Sequence, residues 1–160
     1  MATEADYYLK IDGIDGESQD KEFPKWIQIT SFSWGGTNSG DVSSGASGKG
    51  KVKFHDVSIT APMNAASPSL AQYMANGKPI ASAELAVRVA GDPPQVIKRI
   101  KLAGVFVSKF VNSGDGSRPV DTFTLNYAKI NFDYGAQDEK GKVSALDKKM
   151  GFDLGSVKQS

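Results

Sequence analysis

Three stretches carry residue types whose spacing could do chemistry. The first, G-A-S-G-K-G-K-V at 45–52, has the glycines and lysine of a phosphate-cradling loop. It breaks that pattern twice. Ser43 stands where the first glycine belongs, and Gly50 where the magnesium-binding hydroxyl belongs. The residues after it read as a strand rather than the helix whose N-terminus would hold phosphate. The second is His55, the single histidine, beside Asp56. A serine would complete a hydrolytic triad, but none sits on a G-x-S-x-G elbow, and neighbours in an extended chain point to opposite faces. The third, D-G-I-D-G-E-S-Q-D at 12–20, gathers four carboxylates. It lacks the D-x-D-x-D-G spacing and distal glutamate of a calcium loop, and reads as an acidic turn. No catalytic residue, cofactor-binding residue or metal ligand is assigned, and the chain is expected not to be an enzyme.

The elements around these stretches are mostly strands. Ala83, Leu85, Val87 and Val89 alternate with Ser82, Glu84, Ala86 and Arg88, the period of a strand with one buried face. Tyr7, Leu9 and Ile11 alternate likewise, and W-I-Q-I-T-S-F-S-W at 26–34 reads as one strand with bulky residues on both faces. The runs 97–111 and 120–134 exceed the usual strand length. Two runs change phase: Val52 and Phe54 give way to Val57 and Ile59, and Phe123, Leu125 and Tyr127 give way to Ile130, Phe132 and Tyr134. Each slip predicts a bulge or a strand turning a corner. Long bent antiparallel strands suit a compact β-barrel, so the fold class is mainly β. One docked helix is predicted over about 68–76, with Ser67 as N-cap, Pro68 at the first helical position and Gly77 past the end. Leu70, Tyr73 and Met74 would dock it on the barrel.

Composition narrows the function further. The 160 residues suit a single domain, 1–160, with an extended Gly/Ser-rich loop at about 35–50. A net charge of +1 gives no bulk field for nucleic acid or an anionic membrane, and the lysines do not interleave with aromatics. The absence of cysteine excludes disulfides and thiolate ligands. The N-terminus lacks the basic start and apolar run of a signal peptide, and no stretch is apolar enough to span a bilayer, so cytoplasmic folding is expected. A loop of sixteen small polar residues is unusual in a compact domain and asks for a role.

Seven motifs in order give a resemblance. They are Y-Y-L-K-I-D-G-I-D-G-E-S, S-F-S-W-G, the glycine-rich stretch ending G-K-V-K-F, A-S-P-S-L-A-Q-Y-M-A-N-G-K, A-E-L-A-V-R-V-A-G, I-K-L-A-G-V-F-V-S-K-F and T-F-T-L-N-Y-A-K-I-N-F-D-Y, with M-G-F-D-L as a closing strand. Together they resemble the haemolysin-coregulated protein (Hcp) family, the tube protein of the bacterial type VI secretion system. The resemblance implies a barrel with one helix, a homo-hexameric ring and rings stacked into a hollow tube. It implies partners: effector proteins carried in the channel, a spike protein and a contractile sheath. It also implies assembly in the cytoplasm and release by the type VI route. No toxin domain is expected after the barrel. The loop Val42, Ser43, Ser44, Gly45, Ala46, Ser47, Gly48 and Lys49 is the expected ring or stacking element, and Ser31 and Ser33 the expected channel-lining residues. The alternative is a monomeric β-barrel binding a small ligand inside, which would need small residues in its interior rather than the paired bulky ones present.

Overall fold

The computed structural model describes residues 4–42 and 51–157. In chain order the elements are β1 (Ala5–Ile11), β2 (Ile27–Ile29), β3 (Ser31–Ser33), β4 (Gly36–Asn38), β5 (Val52–Phe54), β6 (Val57–Pro62), α1 (Ser67–Asn76), β7 (Ile80–Val89), β8 (Gln95–Ser113), β9 (Val120–Tyr134), β10 (Lys148–Asp153) and α2 (Leu154–Val157). The main sheet is antiparallel and runs β2-β1-β7-β8-β9-β6-β3, with β10 also pairing β9. Its two ends, β2 and β3, are separated in the chain by Thr30 alone. The single strand expected over 26–34 is therefore two, and the run leaves β1 and joins β6 at Thr30. There the Thr30 amide donates to the Thr60 carbonyl at 2.8 Å and its hydroxyl to the same oxygen at 2.9 Å. That crossing closes the sheet into a barrel.

Alternation fills the barrel. Leu9, Leu85, Ile100, Ile59, Phe123 and Leu125 are each at most 2% exposed and point inward from five different strands. The phase change in β9 falls at Ala128 and Lys129, between buried Tyr127 and Ile130. Across the ladder lies Gly104, whose φ of +62° is strained for any side chain, and whose added Cβ would stand 3.0 Å from that of Ala128. Both strands thus bend together where only glycine fits. A register shift between Val107 and Lys109 marks Ser108 as a bulge. The other phase change, after Phe54, is a break between β5 and β6 at His55 and Asp56. The expected loop at 35–50 also shortens, since β4 pairs with β5, Thr37 opposite Lys53.

The helix begins one residue earlier than expected. Ala66, not Ser67, holds the N-cap position and gives no side-chain cap. Ser67 turns back instead, accepting the Asn64 amide at 2.9 Å and donating to the carboxylate of buried Asp121. Pro68 is therefore the second helical residue rather than the first, and the left-handed Gly77 ends the helix as predicted. Leu70 is wholly buried, a burial of the kind worth about 1.5–3 kcal/mol. Tyr73 is half-buried, and Met74 is exposed rather than docked.

A second small core lies outside the barrel wall. Residues 15–26 fold over β1 and β7, stacking Phe23 on Tyr8 at 4.6 Å and burying Ala86, which alternation had placed in solvent. Arg88 pins this loop. It donates to both oxygens of Asp20, at 2.9 and 2.7 Å, and to Glu22 at 3.2 Å, while stacking over Tyr8 and Phe23. Of the four carboxylates at 12–20, Asp20 alone takes part in this clamp, and Glu17 instead accepts the Ala65 amide at 2.8 Å. Arg88, above all other causes, lowers the Asp20 carboxyl from 3.8 to about 2. A depressed acid adds stability above its unfolded pKa and loses it as the pH falls through the folded one. Asp20→Asn should therefore lower the urea midpoint near neutrality, and the gap to the parent should close between about pH 4 and pH 2. Urea titrations across that window check it; a gap constant with pH would dissociate Asp20 from the clamp.

Candidate functional site

The site begins with the outward faces of four neighbouring strands. In β6, Val57, Ile59 and Ala61 point inward, which leaves Ser58 and Thr60 outward. In β9, Phe123, Leu125 and Tyr127 point inward, leaving Thr122, Thr124 and Asn126 outward. Directly opposite residues share a face. Register then sets Ser31, Thr60, Thr122 and Val111 in one row, and Ser33, Ser58, Thr124 and Lys109 in the next. The third row is Asp56, Asn126 and Phe106, with Asn126 donating to Asp56 at 2.9 Å. The bulge turns Ser108 into this face, where its hydroxyl donates to Asp56 at 2.6 Å and meets the Thr124 hydroxyl at 2.6 Å. The result is a wall of small hydroxyls over β3, β6, β9 and β8.

Ser31 and Ser33 are both exposed on this wall, while Phe32 between them turns toward the core. Sequence placed these two and missed Ser58, Thr60, Thr122 and Thr124. The signal was present in V-S-I-T and T-F-T-L-N, where every outward position is a hydroxyl or an amide. Asp56 and Ser108 could not be found that way, because a strand break and a bulge place them. Of the expected assembly loop, Val42 is described and is 86% exposed; Ser43, Ser44, Gly45, Ala46, Ser47, Gly48 and Lys49 lie outside the described residues.

Behind the wall an aromatic layer fixes its rim. Trp34 donates to the Tyr127 hydroxyl at 2.5 Å, which donates to the His55 carbonyl at 2.9 Å. Burial pushes the Tyr127 phenol up, opposed by the Trp34 hydrogen bond. The Lys98 ammonium lies 4.5 Å from the ring centres of both Phe32 and Phe132, and burial lowers its pKa. His55 is exposed, and its ring makes no contact with Ser108 or Asp56 that would set up a triad. Among the described residues no three acidic, histidine or cysteine side chains converge as metal ligands, and no helix is long and apolar enough to cross a membrane. The arrangement can donate and accept hydrogen bonds over a broad surface.

The described residues thus form a filled barrel with one docked helix, α1, and a short terminal one, α2, and display small hydroxyls on an outer wall. Residues 8–134 match the family model described as type VI secretion system effector, Hcp, and the chain belongs to that family. It is 33% identical over 153 residues to protein hcp1 of Pseudomonas aeruginosa strain PAO1, covering 93% of this chain and 94% of that one. Among solved structures, one of a type six secretion system protein aligns with a TM-score of 0.86 at 28% identity, covering 96% of this chain and 98% of the other. Hcp1 from Salmonella typhimurium aligns at 0.76 and 26%, covering 95% and 96%.

Because Ser33 is exposed, Ser33→Glu should leave the fold intact, within about 0.5 kcal/mol of the parent, as surface changes do. Thermal melting followed by circular dichroism measures this. A collapse of stability would mean that the side chain enters the barrel.

Proposed function

We propose that the chain is the structural subunit of a type VI secretion tube. Six copies form a ring, rings stack into a hollow tube, and the hydroxyl wall lines the channel in which effector proteins travel. The tube is assembled in the cytoplasm and secreted with its cargo, in contact with a spike protein and a contractile sheath. Family membership supports this reading, and one structural observation carries it.

That observation is the wall's two edges without a strand partner. Among the described residues β3 pairs only with β6, and β8 beyond Val105 has no strand partner on its β7 side. Such edges present unpaired backbone groups that a neighbouring strand can take up. A heterologous contact of one edge with the other on the next copy closes a ring when the rotation permits. The wall's chemistry suits a carrier: its hydroxyls are small and uncharged, its charges Lys109 and Asp56 are of opposite sign, and its apolar Val111 and Phe106 stand in separate rows, which avoids both a single-sign field and a large apolar patch. Bulky side chains fill the barrel interior, which removes the room a ligand-binding barrel would need. The loop 42–49 is proposed as the contact between rings, since a ring repeats the contact six times and so makes it multivalent.

Light scattering and negative-stain imaging test the reading. A ring should weigh roughly 100 kDa against 17.0 kDa for the subunit. Replacing 42–49 with a short Gly-Ser link should leave the fold and the ring in place and reduce stacking, because shortening a loop is entropically mild. A parent that stays at subunit mass at every concentration would overturn the proposal. A shortened chain that stacks as well as the parent would remove the loop from it.

A further inference from the structure

One row of the wall differs from the rest. Asp56, Asn126 and Phe106 lie side by side across the start of β6, β9 and β8, and two of the three are not small hydroxyl or amide groups. The Asp56 carboxylate is held rigid, taking the Asn126 amide on one oxygen at 2.9 Å and the Ser108 hydroxyl on the other at 2.6 Å. Among the described residues it has no ion-pair partner. Phe106 is 40% exposed and points outward, since its neighbours Val105 and Val107 are buried. The two ends of the row are two strand spacings apart, about 10 Å. A fixed anion at one end and an aromatic ring at the other match the two parts of a long basic side chain, which pairs through its charge and packs through its stem or guanidinium plane.

We propose that this row is a cargo-contact subsite that selects basic protein surfaces, arginine above all. The inference rests on the channel reading given above. In a six-fold ring the Asp56 carboxylates stand at one height, so a single residue becomes a band of six negative charges. The wall's other charge is Lys109, one row away opposite Thr124. It is exposed on a flexible stem and forms no ion pair among the described residues. It therefore acts as a mobile cation that competes with cargo for the fixed anion, and its removal should strengthen the subsite.

The test uses the purified full chain and fluorescent octapeptides of arginine, glutamate and Gly-Ser, followed by anisotropy at low and raised salt. Mass in solution is recorded first. The arginine peptide should bind the assembled ring more tightly than the other two. Asp56→Asn should weaken it by about fivefold or more and flatten its salt dependence. Lys109→Gln should tighten it, Phe106→Ala should weaken it, and Glu139→Gln, an exposed acid on a distant loop, should leave it unchanged. Rings of the parent and of Asp56→Asn that bind the arginine peptide equally well overturn the subsite while the channel reading stands. A parent that remains monomeric overturns the channel reading, and equal binding by parent and Asp56→Asn monomers then overturns the row's preference too. If Asp56→Asn does not fold, Lys109→Gln decides, and unchanged arginine binding there refutes the proposal.

Discussion

The barrel depends on one carbonyl. The Thr60 oxygen accepts both the amide and the hydroxyl of Thr30, and through that pair the chain passes from the β1 edge to the β6 edge. Without it, β2 and β3 would continue as one strand along β1, and the sheet would stay open with its apolar face in water. Everything inward of the crossing follows from closure. Phe123, Ile59 and Leu125 can be fully buried only because strands distant in the chain are brought round to face one another. The outward wall follows as well, since each inward residue fixes its neighbours as outward.

Much of this was legible in the sequence, and for a physical reason. Period-two alternation reports burial directly, so β1, β7 and β9 could be read from it, and the phase slip in β9 marked a real bend. Its partner, Gly104, was not legible, because a glycine within an apolar strand gives no sign of which residue it must clear. The break at Thr30 was hidden for a similar reason. Threonine is a good strand residue, and nothing local distinguishes one that hands the chain from one sheet edge to the other. The outer core was missed because alternation assumes that the polar face meets water. Ala86 and Tyr8 meet Phe23 instead.

The site divides along the same line. Ser31 and Ser33 could be singled out because two small polar residues share one parity of the 26–34 run, and the structure leaves both exposed. Asp56 and Ser108 meet only through a strand break and a bulge on chain segments 52 residues apart. The acidic run was legible only in part. It reads as an acidic turn, whereas Asp20, with Glu22 beyond the run, serves a guanidinium already in the chain. Local spacing could not show that, because Arg88 lies 68 residues further on from Asp20.

The bend at Gly104 has a mechanical consequence. On one side of it, β8 and β9 carry the wall on their outward face and Val107, Phe123 and Leu125 in the core on their inward face; on the other side, the same two strands bury Ile100, Leu102 and Ile130. A pull on the wall therefore travels through the β8–β9 pairing, which resumes on each side of the Gly104 bend and the Ser108 bulge, and through the core residues these strands share. Wall and barrel should yield together in one cooperative transition rather than peel apart in stages. In the proposed tube, a subunit with no weaker half would resist a sudden thrust.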